Sequence, residues 1–242
     1  MRKINFVNGE YYHIYNRGID KRDIFLDEDD FWKFFNGLRD FNNKTNYELR
    51  LNALGIHTHD YAPTTPSSLQ FKELGSFLKQ QEKMVDAVSY CINPNHFHLI
   101  LKQRQDRGIS NVMHKLGLSC TNHFNKKYNH SGHIFQGPFK AVHIDSNDYL
   151  LWLIGYVNGN IEIHGLADAK KYPWSSYQAI SRLLANSYGQ GQGLSNLSVL
   201  SGLEDIILPQ FKNENEFRDF VKYVIAESRT KKEMEKYLLE NL

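Results

Sequence analysis

A chain of 242 residues with 41% hydrophobic residues is long enough for one sizeable domain with an appendage, and its composition is ordinary for a folded protein. The 29 Lys and Arg nearly balance 27 Asp and Glu, and the chain has no run of about 18 or more apolar residues that would indicate a membrane span. The first residues lack the apolar segment of a secretory signal, and only two cysteines occur, so we expect a cytoplasmic protein.

The hydrophobic pattern predicts strands and helices in an order typical of one fold. Strands are indicated by short runs of β-branched and aromatic residues, and helices by apolar residues at spacings of three and four. In chain order we expect a strand at 11–18, a helix at 27–43, strands at 84–92 and 96–102 joined by the turn Asn93-Pro94-Asn95, a helix at 109–127, a strand at 139–144, and a helix capped by Asp145 or Ser146. This order predicts an α+β, ferredoxin-like antiparallel sheet with two helices on one face and one further helix.

The remaining sequence divides into an insertion and a C-terminal region. Residues 44–80 are polar and carry YAPTTPSS, which is typical of an insertion, and GQGQG at 189–193 is typical of a linker. Residues 214–242 predict a helix. We therefore expect a main domain at 1–180 and a helical accessory region at 181–242.

The charge is distributed unevenly. Residues 102–140 contain seven lysines and arginines and a single acid, Asp106, for a net charge of +6. Such a segment is either a solvated helix face or a surface for phosphates, and charge alone does not decide between them.

The segment CINPNHFHLILK (91–102) places two histidines one residue apart in an apolar run. Because strand side chains alternate, His96 and His98 would share one face and could bind one ion, or else must find hydrogen-bond partners. The same spacing at His57 and His59 falls in the polar insertion, where we expect solvated loop histidines.

The last predicted helix offers polar groups that could complete such a site. Tyr156 and Asn160 are four residues apart and would lie side by side. Gly155 and Gly159 flank them, although glycine is costly inside a helix. One reason to keep both glycines would be a ligand backbone passing close to the helix.

Five blocks of this sequence together resemble the HUH (His-hydrophobic-His) single-tyrosine transposases, and are most similar to the REP-associated tyrosine transposases. The blocks are YHIYNRG (12–18), NPNHFHLIL (93–101), NHFNKKYNHSGHIFQGPFK (122–140), DYLLWLIGYVNGN (148–160) and YPWSSY (172–177). The resemblance implies that residues 1–180 are the catalytic domain of a DNA transposase that cleaves and joins single strands, with hairpin DNA as the expected substrate.

The resemblance also implies a role for each matching residue. His96, His98 and Asn160 would bind Mg²⁺ or Mn²⁺, and Tyr156 would be the nucleophile that forms a 5′-phosphotyrosine link. The family usually has Asn-Pro-Val here, whereas Ile161 follows Asn160, which weakens the assignment of that residue. His143 is the alternative ligand and Tyr149 the alternative nucleophile, whereas Asn158 would face away from Tyr156.

The implied partner is single-stranded or hairpin DNA, and a homodimer is one state that the resemblance allows. We expect the DNA phosphates to contact four basic residues, Arg17, Lys126, Lys127 and Lys140. Two other functions remain open from the sequence: a domesticated hairpin-binding protein that no longer transposes, and a zinc hydrolase that uses His96 and His98.

Overall fold

The computed structural model describes residues 4–42, 83–186 and 200–240, so the insertion expected at 44–80 and the linker at 189–193 lie outside the described residues. A 3-10 turn spans Ile19–Lys21. The regular elements, in chain order, are β1 (Tyr11–Arg17), α1 (Glu28–Phe41), β2 (Val85–Asn93), β3 (His96–Gln103), α2 (Gly108–Lys127), β4 (Lys140–Ile144), α3 (Asn147–Ile163), α4 (Tyr177–Asn186), α5 (Glu204–Ile207) and α6 (Glu214–Glu240).

The four strands form one antiparallel sheet in the order β2-β3-β1-β4. This confirms the predicted α+β, ferredoxin-like arrangement. The central strand β3 is buried along most of its length. It pairs with β1 and β2, so that Tyr15 and Cys91 lie opposite His98 on its two sides.

Helices cover both faces of the sheet. On one face, the α1 residue Phe34 packs on Phe97 of β3, with ring centroids 4.8 Å apart, and α2 packs beside α1. On the other face, Tyr156 of α3 lies over His98, with ring centroids 5.6 Å apart. Because neighbouring strand residues point to opposite faces, the alternation in β3 separates an apolar core from a polar site.

Helix α3 begins at a side-chain cap. The Ser146 hydroxyl accepts a hydrogen bond from the Tyr149 backbone N–H at 3.3 Å, so Ser146 rather than Asp145 is the N-cap. The helix then runs without interruption past Asn160 to Ile163, with Ile161 rather than a proline directly after Asn160.

The two glycines of α3 allow the close approach of another helix of this chain. The interpretation that they make room for a ligand backbone was therefore wrong. Helix α6 packs across α3, and a Cβ atom built on Gly155 would lie 2.8 Å from Val224 Cγ2. A Cβ atom on Gly159 would lie 2.5 Å from Ile225 Cγ1. The boundary expected at residue 180 lies inside α4, which also packs on α6.

We expect Gly159→Ala to destabilise the protein. The added methyl group overpacks the α3–α6 contact, which costs about 1–3 kcal/mol, and improved helix propensity returns at most about 1 kcal/mol. Gly117→Ala is the matched control, because Gly117 is also inside a helix and has nothing within 4 Å of a built Cβ atom. Urea unfolding should show the first variant less stable than the parent protein and the second at least as stable. Equal stability of the two variants would contradict a tight α3–α6 contact.

Candidate active site

The β2–β3 turn holds the histidine pair at one end of the sheet. The Pro94 carbonyl accepts hydrogen bonds from the Ile24 and Phe25 backbone N–H groups at 2.8 and 2.9 Å. His96 and His98 follow on the same face, with ring centroids 5.3 Å apart and planes nearly perpendicular. The prediction that the two imidazoles share a face is confirmed by this geometry.

Asn160 lies against His96. The His96 Nδ1 is 2.5 Å from Asn95 Oδ1, which can only accept, so this nitrogen carries the proton. The His96 Nε2 then presents a lone pair 3.0 Å from Asn160 Oδ1. The amide nitrogen of Asn93 donates to both atoms, at 2.7 Å to His96 Nε2 and 2.5 Å to Asn160 Oδ1. Two acceptor atoms therefore converge on one donor.

The phenol of Tyr156 stands beside these groups and is partly buried. Burial raises the pKa of Tyr156, and the neighbouring amide of Asn160 opposes part of that rise. The Asn160 Nδ2 atom is buried and has no hydrogen-bond partner among the described residues.

A third imidazole, which the sequence analysis did not single out, contacts His98. The His13 Nε2 of β1 is 2.9 Å from His98 Nδ1, and both side chains are buried. Burial lowers the pKa of His13 to about 4. Burial is also the main reason that the pKa of His98 lies well below its usual range, and the nearby His13 imidazole lowers it further. Strand alternation in YYHIYNR could have indicated that His13 shares a face with Tyr15, but not that β1 lies beside β3.

The histidine pair opens into a cavity of about 650 Å³, here called the histidine cavity. Its lining residues are Tyr15, Asn16, Arg17, Lys21, Asn95, His96, His98, Gln136, Lys140, His164 and Leu166. Two of the four predicted phosphate-binding residues, Arg17 and Lys140, are thus brought to the histidines. Lys140 also lies over the ring of Tyr15, 6.0 Å from its centroid.

The other two predicted DNA-binding residues, Lys126 and Lys127, lie at the end of α2. The Lys127 ammonium is 2.5 Å from Asp27 Oδ1 and 3.3 Å from Asp30 Oδ1, so carboxylates of the α1 N-terminus neutralise it. Neither lysine lines the histidine cavity.

The alternative residues occupy other positions. His143 is 2.9 Å from Glu10 and packs against Tyr12, on the face of the sheet opposite His98. Asn158 is fully buried, donates to Ser89 at 3.1 Å and accepts from Ser176 at 2.8 Å. It therefore joins α3 to β2 and to the YPWSSY block, which explains part of that block as structural.

The donor set fits a divalent cation. Among residues 4–42, 83–186 and 200–240, no group of three or more His, Cys, Asp or Glu side chains is arranged to hold a metal. Asn160 Oδ1, which lies 3.0 Å from His96 Nε2, is an oxygen atom that could join the histidine pair in holding a metal. Imidazole ligands suit zinc, whereas the amide oxygen suits Mg²⁺ or Mn²⁺, so the donor types alone do not select one metal.

In the described part of the chain, no helix has the length and apolar character needed to cross a membrane.

One family model matches the part of the chain that contains this site. Residues 67–160 match the sequence model of the family described as "Transposase IS200 like", a range that contains the histidine pair, Tyr156 and Asn160. No curated protein sequence matches this chain. A solved structure described as a REP-associated tyrosine transposase bound to a REP hairpin is 11% identical, with a TM-score of 0.48, covering 83% of this chain and 96% of that one. Residues 67–160 of this chain are therefore similar to the IS200-like transposases.

Proposed function

We propose that this protein is a metal-dependent single-stranded DNA endonuclease and strand transferase that works through a 5′-phosphotyrosine intermediate. The observation that carries the proposal is the meeting of Tyr156, His98 and the His96–Asn160 pair on one face of the sheet. A nucleophile, a set of cation ligands and a basic cavity are the parts that phosphoryl transfer needs.

In this mechanism His96, His98 and Asn160 hold Mg²⁺ or Mn²⁺, which when bound neutralises charge on the phosphate oxygens. The Tyr156 hydroxyl gives its proton to water, and the Asn160 side chain favours the resulting phenolate. The phenolate oxygen attacks phosphorus, the bond from phosphorus to the 3′ oxygen breaks, and the departing 3′ oxygen takes up a proton from water. The 5′ strand remains on Tyr156 until a second 3′ hydroxyl attacks and regenerates the tyrosine.

The proposed substrate is a single strand, at or beside a hairpin, because a flexible strand can bend into the histidine cavity and a duplex cannot. Arg17 and Lys140 would contact its phosphates there. We keep Lys126 and Lys127 as proposed contacts for DNA outside the cavity, although acids pair with Lys127.

Lys140→Ala is expected to weaken binding of single-stranded DNA at every sequence. Loss of one phosphate contact should lower the slope of log affinity against log salt by about 0.7. Fluorescence anisotropy at several salt concentrations measures this slope. Lys222→Ala on α6, outside the histidine cavity, is the control and should leave the slope unchanged. An unchanged slope in the Lys140 variant would remove this residue from the DNA path.

The test of the proposed function uses end-labelled hairpin oligonucleotides with randomised single-stranded flanks, incubated with the protein and Mn²⁺. A covalent protein–DNA band on a denaturing gel that requires the metal is the expected result. Metal-dependent cleavage without a covalent band would instead establish a hydrolase. Tight hairpin binding without cleavage would establish a hairpin-binding protein that no longer transposes.

A further inference from the structure

His13 is a buried polar side chain that the proposed mechanism does not use. His13 of β1 lies on the same face of the sheet as His98, and its ring is 5.1 Å from that of His98, with planes 21° apart. Its Nε2 is 2.9 Å from His98 Nδ1, and the exposed fractions of the two residues are 7% and 9%. In a buried imidazole pair of this kind, one nitrogen must donate a hydrogen bond and the other must accept it.

A hydrogen bond between two imidazole nitrogens needs one N–H and one lone pair. If His13 Nε2 carries the proton, His98 accepts on Nδ1 and its own proton lies on Nε2, which then cannot bind a cation. If His98 Nδ1 carries the proton, His98 Nε2 presents a lone pair. Because His13 already engages Nδ1, only the second arrangement leaves a metal-binding nitrogen on His98.

The neighbouring histidine follows the same rule. The His96 Nδ1 donates to Asn95 Oδ1 at 2.5 Å, which leaves the His96 Nε2 lone pair facing Asn160. Both histidines of the pair thus have Nδ1 engaged by a separate side chain. Outer partners of this kind fix the tautomer and ring orientation of metal-binding histidines.

We propose that His13 is a positioning residue that accepts the hydrogen bond from His98 Nδ1 and so keeps the lone pair on His98 Nε2 for the cation. This inference rests on the proposed function, since it concerns the same metal site. It adds a residue that touches neither the cation nor the DNA.

The experiment measures the tautomer and the metal affinity separately. In the metal-free protein, long-range ¹H–¹⁵N NMR of labelled histidine reports which nitrogen of His98 is protonated, with His98→Gln used for assignment. We expect the proton on Nδ1. Mn²⁺ affinity, measured by electron paramagnetic resonance without DNA, should fall about 10- to 100-fold in His13→Leu. In His13→Gln, whose amide oxygen can accept from His98, affinity should stay within a few-fold of the parent protein.

His143→Leu is the matched control, because His143 lies on the opposite face and should not affect Mn²⁺ binding. A His98 proton on Nε2 in the parent protein, or equal losses in His13→Gln and His13→Leu, would overturn the inference. If His13→Leu fails to fold, the tautomer and the Gln variant still decide it. A parent protein that binds no Mn²⁺ would count against the proposed function, whereas the tautomer measurement would still test the role of His13.

Discussion

Tyr156→Phe should abolish the covalent protein–DNA adduct and lower strand cleavage by about 10³-fold or more, because the phenol oxygen is the atom that would bond to phosphorus. The variant removes one oxygen and keeps the ring that packs over His98. We therefore expect unchanged folding and nearly unchanged Mn²⁺ affinity. Single-turnover cleavage of labelled single-stranded DNA, followed on a denaturing gel, measures the loss.

Tyr149→Phe provides a matched control in the same helix. Tyr149 lies two turns before Tyr156, near the N-cap, and was the alternative nucleophile in the sequence. Its variant should form the adduct at the rate of the parent protein. Loss of the adduct in Tyr149→Phe, together with its survival in Tyr156→Phe, would reverse the assignment of the nucleophile.

Asn160→Ala should weaken Mn²⁺ binding by about 10-fold or more, since it removes an oxygen that converges with His96 Nε2. Asn160→Asp keeps an oxygen at this position and should restore much of the affinity. Titration with Mn²⁺ alone, followed by electron paramagnetic resonance, measures all variants without dependence on the DNA sequence.

Asn158→Ala is the matched control for Asn160→Ala, because it removes the same side chain from another position of α3. It removes the buried Asn158 hydrogen bonds to Ser176 and Ser89 and should lower the free energy of unfolding by about 1–3 kcal/mol. Its Mn²⁺ affinity should remain within a few-fold of the parent protein. If Asn158→Ala weakened Mn²⁺ binding as much as Asn160→Ala, Asn160 would act through the packing of α3 rather than as a ligand.

Much of the fold could be predicted because it depends on local patterns. Strand alternation and helical spacing are properties of neighbouring residues, so β1 to β4 and the helices between them begin and end within a residue or two of the expected positions. The shared face of His96 and His98 follows from the same alternation. The pairing of Tyr156 with Asn160 follows from the helical repeat. The resemblance of the five sequence blocks to a known family then predicted a common site for these residues and the histidine pair.

The secondary structure, the spacing of the histidine pair and the pairing of Tyr156 with Asn160 in α3 can be read from the sequence, because each depends on residues a few positions apart. Which distant groups meet depends on how the strands and helices pack. His13 of β1 contacts His98 of the neighbouring strand β3, and Lys127 forms ion pairs with acids of α1. Helix α6 packs against α3 at Gly155 and Gly159. Each of these contacts joins residues far apart in the chain, and no short-range pattern encodes the packing that brings them together.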